Sequence, residues 1–315
     1  MGASTALELS AASNESRSGP KTVLSISKDD LIPKEDRNDS KEDKAYNDFY
    51  ISLMYYNSHR DELFYVDNAD YQTVRSIRFH VAPAVDNRRE LVNVYKNSSL
   101  LHPVHYMEYM RDTDTLLLLL SGSKHLVVLT RSGEGRSNDE WREANRLLIK
   151  EGYYKICCAL SDSRVLFGRP DLDYMELFRV ESGPRITHVH RIYLPESYSN
   201  FVATGAGETL VAMAYKDSVS VNHLCGDHLK EISRIQSSDC CNVLSLGDRL
   251  LVSESNASTN SHVIVELVLN GTILERRREL DLTRAYIELE CWCAVGNELA
   301  IYDSNSQQLV LYSFD

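Results

Sequence analysis

Six clusters of acidic residues are the first feature of this 315-residue chain with the makings of chemistry. Asp61 and Glu62, Asp112 and Asp114, Asp162, Glu208, Asp248 and Glu298 each stand just ahead of a short apolar run. Carboxylates gathered from several segments onto one mouth can hold a divalent cation, or attract a basic partner by focusing negative potential. Asp is also a residue of tight turns, where it hydrogen-bonds nearby backbone and stays in water. Turn chemistry alone accounts for all eight residues, and solvated turns are the expectation.

The other reactive types are weighed the same way. Cys157, Cys158, Cys240, Cys241, Cys291 and Cys293 come as three close pairs far apart in sequence, without a Cys-x-x-Cys spacing, so buried unreactive thiols are expected rather than a thiolate metal site. His188 and His190 lie two apart and would project from one side of a strand. Two imidazoles do not complete a zinc site, and a solvated pair is expected. Arg276, Arg277 and Arg278 sit between Glu275 and Glu279, where alternation would turn neighbours to opposite faces and blunt an exposed sheet edge. Trp292 reads as a core wedge with Cys291 and Cys293 on the other face. Phosphate-binding glycine loops, His-Glu-x-x-His and Gly-x-Ser-x-Gly are all missing from the sequence. No catalytic, cofactor-binding or metal-ligating residue is therefore assigned, and no cofactor is expected.

The elements that must position these residues form a repeat. DELFYVDN, DTLLLLLSG, SRVLFGR, ETLVAMAY, DRLLVSES and NELAIYDS follow one pattern, a polar turn and then a β-rich run. Their third residues, Leu63, Leu116, Val165, Leu210, Leu250 and Leu299, are 53, 49, 45, 40 and 49 apart. Each has an apolar segment before it, one after it, and in most copies a more polar fourth segment such as ITHVHRIYL or LKEISRIQ. Four strands at a spacing of about 40 to 50 residues, grading from apolar to polar, predict an all-β ring: a six-bladed β-propeller with four antiparallel strands per blade.

The sixth copy stops at Asp315 after its third strand, which would leave a sheet edge exposed. KTVLS, ahead of the first copy, is the short β-prone segment able to complete it. The organisation predicted is a disordered tail over 1–20, a closing strand of the last blade over 21–27, an acidic flexible linker over 28–48, poor in apolar residues, and the propeller over 49–315.

LFYVDNADYQTVRSIRF and LAIYDSNSQQLVLYSF resemble the strand-Asp-turn-strand core of NHL-type and related six-bladed propellers, in which an Asp ends the second strand and caps the turn into the third. Asp67 and Asp303 match that place, and Ser121 and Ser253 match it loosely. The likeness covers two blades and implies the fold rather than an activity. The Trp-Asp and kelch signatures are absent.

A formal charge of −12, of which residues 1–48 hold seven basic and ten acidic side chains, disfavours nucleic acid and anionic membranes as partners. Seven cysteines without a disulfide pattern, and a start lacking a secretory signal, lead to an intracellular expectation, cytoplasmic or nuclear. The function expected is a non-catalytic protein-interaction scaffold, monomeric, with polar loops SESNASTNS, DSNSQQ and RPDLD offered to a protein or peptide partner. The alternative is a divalent-cation-dependent propeller hydrolase of gluconolactonase-like type, with carboxylates from different blades converging at the channel mouth.

Overall fold

The computed structural model describes residues 21–31, 50–57, 61–67, 73–78, 90–96, 102–132, 140–149, 154–170, 172–181, 185–204, 209–256, 261–280, 291–303 and 306–313. The first strand, β1 (Lys21–Ser27), is followed by a single helical turn, α1 (Lys28–Leu31). Blade 1 is β2 (Ile51–Asn57), β3 (Glu62–Asp67), β4 (Thr73–Arg78) and β5 (Glu90–Lys96). Blade 2 is β6 (Val104–Met110), β7 (Thr115–Leu120), β8 (His125–Ser132) and β9 (Glu140–Leu148). Blade 3 is β10 (Ile156–Ala159), β11 (Arg164–Gly168), β12 (Tyr174–Glu181) and β13 (Arg185–Tyr193). Blade 4 is β14 (Asn200–Thr204), β15 (Leu210–Ala214), β16 (Ser218–Cys225) and β17 (His228–Gln236). Blade 5 is β18 (Cys240–Leu246), β19 (Arg249–Asn256), β20 (Ser261–Asn270) and β21 (Ile273–Leu280). Blade 6 is β22 (Trp292–Val295), β23 (Glu298–Asp303), β24 (Gln308–Ser313) and, outermost, β1.

Each sheet is antiparallel throughout, and the innermost strands touch in a cycle: β2 with β6, then β10, β14, β18, β22 and β2 again. That cycle is a closed six-bladed propeller. The packing explains the unbroken run TLLLLL in β7. Leu116, Leu118 and Leu120 pack toward Phe64 and Val66 of blade 1, while Leu117 and Leu119 pack toward Val165 and Phe167 of blade 3. A strand sandwiched between two blades has no wet face, so alternation disappears from its sequence. The outer strands recover it, and β13 buries Ile192 while its neighbours Arg191 and Tyr193 are exposed.

Closure of blade 6 uses the N-terminus, as the sequence reading expects. Ser25 opposes Val310, Ile26 opposes Leu309 and Ser27 opposes Gln308. Ile26 is 1% exposed, and burying such a side chain stabilises by about 1.5 to 3 kcal/mol. The first four residues of the expected linker, 28–31, form α1 instead: Leu31 is fully buried in the same cluster as Leu63 and Leu311, and its carbonyl accepts from the Tyr65 hydroxyl at 2.5 Å. The predicted tail over 1–20 and the rest of the linker lie outside the described residues.

One irregularity recurs in all six blades. Where the third strand meets the fourth, the outer strand carries one extra residue: Val94, Ala144, Val189, Ile232, Arg277 and, in blade 6, Val23. A bulge raises local twist and reverses which face the following side chains take, so it re-aims residues that simple alternation would place elsewhere.

Candidate functional site: the central channel

The six innermost strands surround a channel of about 650 Å³. Within the propeller these strands all run the same way, so residues at their starts share one end. There the lining includes Ser52, His105, Lys155, Ser199, Asn200, Asn242 and Trp292. Tyr56, Tyr109, Arg111, Ala159 and Ser245 line the opposite end, from which the turns carrying Asp61, Asp114, Asp162 and Asp248 project.

Midway lies Glu108, 9% exposed, whose Oε1 accepts from the Tyr55 hydroxyl of blade 1 (3.3 Å) and from the Ala159 backbone N–H of blade 3 (2.9 Å). It joins three blades. Burial, reinforced by the Glu108 charge, holds the Tyr55 and Tyr106 phenols well above the usual tyrosine range, so both remain neutral O–H groups.

The acidic turns divide: Asp61, Asp112 and Asp114 are bonded within the fold, whereas the Asp162 and Asp248 side chains stand largely in solvent. Asp61 and Asp114 both take left-handed backbone, with φ of 53° and 47°, and each accepts from the tyrosine five residues earlier: Tyr56 at 2.6 Å and Tyr109 at 2.8 Å. That Tyr-x₄-Asp spacing is visible in the sequence and was the missed signal. Asp112 accepts from the Ser163 N–H of the next blade (3.1 Å), while Asp162 and Asp248 lie near Arg164 and Arg249. Glu298 is half-buried at the start of β23, and Glu208 lies outside the described residues. Glu62 departs from the turn expectation altogether. It is the first residue of β3, fully buried, accepting from Ser76 Oγ (2.8 Å) and paired with Arg131 of blade 2. A wholly buried carboxylate must be paired in this way, which turn statistics cannot reveal. Among the described residues no group of three or more His, Cys, Asp or Glu is placed to hold a metal ion.

Cys157 and Cys158 in β10, Cys240 in β18 and Cys293 in β22 are buried on innermost strands. Cys241 also belongs to β18, and buried Cys291 immediately precedes β22, where its thiol donates to the Ile51 carbonyl. Burial pushes the Cys157 and Cys293 thiols up. Trp292 packs with Leu251 and Leu299, whereas Cys291 and Cys293 pack with Ile51 and Leu63, the two-faced arrangement expected.

The bulges overturn two expectations. Because Val189 is the extra residue, His188 opposes Phe178 and His190 opposes Leu177, neighbours on opposite faces, so the two imidazoles do not share a side. Nor is His188 merely solvated: its Nε2 lies 2.5 Å from Glu176, a fully buried carboxylate that also receives Arg191 at 2.6 Å. Because Arg277 is the extra residue in β21, it and Arg278 converge on one acceptor instead of diverging. Both reach Glu266, 1% exposed, as does Arg249 at 3.4 Å, while Arg276 pairs with Glu254 and Glu279. Asp67 and Asp303 end β3 and β23 as the propeller likeness implies. Asp67 accepts from Arg75 Nε at 2.8 Å and Asp303 from Ser306 Oγ at 2.7 Å.

No protein-family model matches the chain, and no curated protein is similar to it in sequence. Its shape is shared widely. A candidate 6-phosphogluconolactonase from Bacteroides uniformis superposes with a TM-score of 0.59 over 84% of this chain and 81% of that one, at 11% identity. A catalytically inactive virginiamycin B lyase from Staphylococcus aureus, with quinupristin, gives 0.51 over 84% and 80%, at 12% identity. A chain of the mitotic checkpoint complex gives 0.55 over 100% and 98%, at 7% identity. Likeness at these identities establishes the propeller fold and nothing finer, since one fold hosts unrelated functions. No helix among the described residues is long and apolar enough to cross a membrane.

Proposed function

We propose that this protein is a non-catalytic interaction propeller that docks a protein partner on its rim. The observation that carries the reading is where the large exposed apolar side chains lie. Among the described residues they are Leu148, Val189, Tyr193 and Ile273, all on outermost strands. Leu148 and Tyr193, 57% and 71% exposed, end the outer strands of adjacent blades and so fall on the same side of the disc. Outer strands also present an unpaired backbone edge, on which an extended partner segment can add as a further strand while apolar side chains supply contact area.

The hydrolase alternative draws on the lactonase named among the structural neighbours. It requires several carboxylates aimed at one point, whereas Asp61, Asp112 and Asp114 are engaged in the bonds described above. Affinity capture from native extract tests the docking reading. The full chain should retain a discrete protein that the Leu148→Glu, Tyr193→Glu double variant loses. Equal retention by both, or no specific protein at all, contradicts it. Calcium-dependent turnover of a sugar lactone would establish the alternative.

A further inference from the structure

We propose that the channel end where the inner strands begin is a binding site for a small organic anion, a carboxylate, sulfonate or phosphate carried on an apolar or aromatic body. The inference stands apart from docking on the rim.

The sign of the lining is the first reason. The chain as a whole carries a formal charge of −12, yet the charged side chain among the described residues at this end of the channel is Lys155, with His105 on the neighbouring inner strand. The turn carboxylates belong to the opposite end, together with Arg111. Glu108 sits between, its Oε1 already accepting two hydrogen bonds. Lys155, exposed at this mouth, raises the potential over an opening whose described lining holds no carboxylate at that end, and so favours an anion there.

The second reason is donor polarity. Asn200 and Asn242 occupy corresponding places at the starts of the inner strands of blades 4 and 5, and the two amides touch. Asn200 Oδ1 accepts from the Phe201 N–H at 2.7 Å, and Asn242 Oδ1 accepts from the Val243 N–H at 2.9 Å. Asn242 Oδ1 also accepts from Asn200 Nδ2, so both carbonyl oxygens are taken up within the protein and the second amide N–H of Asn200 is the donor this pair offers a ligand. Ser52 and Ser199 add hydroxyls.

The third reason is volume and wall chemistry. Trp292 and Tyr106 line the same cavity, and about 650 Å³ lies within the roughly 300 to 1,000 Å³ typical of small-molecule sites, which are mainly apolar with a few placed polar groups. The ligand so described is an anionic head between Lys155 and the Asn200 amide, with a flat body against the aromatic walls.

Two fluorescent probes that share an aromatic body isolate the anion requirement: 8-anilinonaphthalene-1-sulfonate, and the uncharged N-phenyl-1-naphthylamine. Titrated against the folded full chain, the sulfonate should saturate at one site per chain and bind about tenfold more tightly than the neutral probe, the scale of a hydrogen-bonded charge contact. Lys155→Met, an exposed position, should erase most of that difference while leaving the neutral probe unchanged. Ala203→Trp, which fills the channel, should abolish both signals with the thermal midpoint of the Lys155→Met protein serving as the folding reference. Equal affinity for the two probes, or sulfonate binding indifferent to Lys155→Met, overturns the proposal.

Discussion

Gly168→Ala tests how tightly blade 3 is seated on blade 4. A Cβ built at Gly168, in β11, would lie 2.3 Å from Tyr198 Oη and 2.6 Å from Phe201 Cε1. Both rings are buried, Tyr198 at 2% exposure and Phe201 at 0%, so neither can swing into solvent. The Tyr198 hydroxyl also accepts from the Arg169 N–H at 2.7 Å, and moving it leaves that donor unsatisfied. Overpacking of a filled core costs about 1 to 3 kcal/mol and an orphaned buried donor about 1 to 3 more, so a loss of about 2 to 6 kcal/mol is expected. At roughly 2 °C per kcal/mol for a chain of this size, the thermal midpoint should fall by about 4 to 12 °C. Gly271→Ala is the control: the position has φ of 63° but nothing within 4 Å, so it should cost only about 1 to 2 kcal/mol from the left-handed backbone. A double-mutant cycle with Tyr198→Phe should show favourable coupling, because the atom that clashes first is removed. If Gly168→Ala melts within 1 °C or so of the parent, the blade 3–blade 4 packing described here is wrong.

Three further outcomes are expected. Glu266→Leu should destabilise by about 3 to 5 kcal/mol in denaturant titration, since it strips the shared carboxylate from Arg249, Arg277 and Arg278, whereas Arg277→Ala, at a largely exposed position, should cost under about 1 kcal/mol. Tyr55, Tyr65, Tyr106, Cys157 and Cys293 all have folded-state pKa values raised by burial, so each holds its proton more tightly than in the unfolded chain. The stability tied to their protons is complete below the unfolded values, about 8.5 for thiols and 10 for phenols, and drains away above them; the denaturation midpoint should hold up to about pH 8 and drop progressively beyond, and a flat profile to pH 11 or so would contradict it. The same burial predicts that an alkylating reagent labels Cys225 in the folded chain well before Cys157 or Cys293, with mass mapping of the adducts as the check.

What was legible in the sequence follows from which physical effects act locally. The repeat anchors, the apolar grading across each blade and the closing strand could be read because strand burial and sheet-edge satisfaction impose residue types directly: Ile26 had to be apolar and Leu116 to Leu120 could be nothing else. The outer-strand bulges could not. Nothing in ITHVHRIYL or ILERRREL marks Val189 or Arg277 as the extra residue, and one inserted position is enough to split His188 from His190 and to bring Arg277 and Arg278 onto Glu266. Glu62 was misplaced for a related reason, since a partner 69 residues away, Arg131, makes its burial tolerable. The channel itself has no linear signature, because its lining takes two to five residues from each inner strand and only ring closure assembles them.

The most direct measurement of ring closure is a cross-link between the chain's two ends. Ser27 in β1 and Gln308 in β24 oppose each other in register, both half-buried, so Ser27→Cys and Gln308→Cys introduced together should form a disulfide under mild oxidation. Proteolysis between residues 32 and 49, followed by non-reducing mass mapping, should then find the N-terminal peptide held to the C-terminal strand. Release of that peptide from the oxidised protein would contradict a propeller closed by its N-terminus.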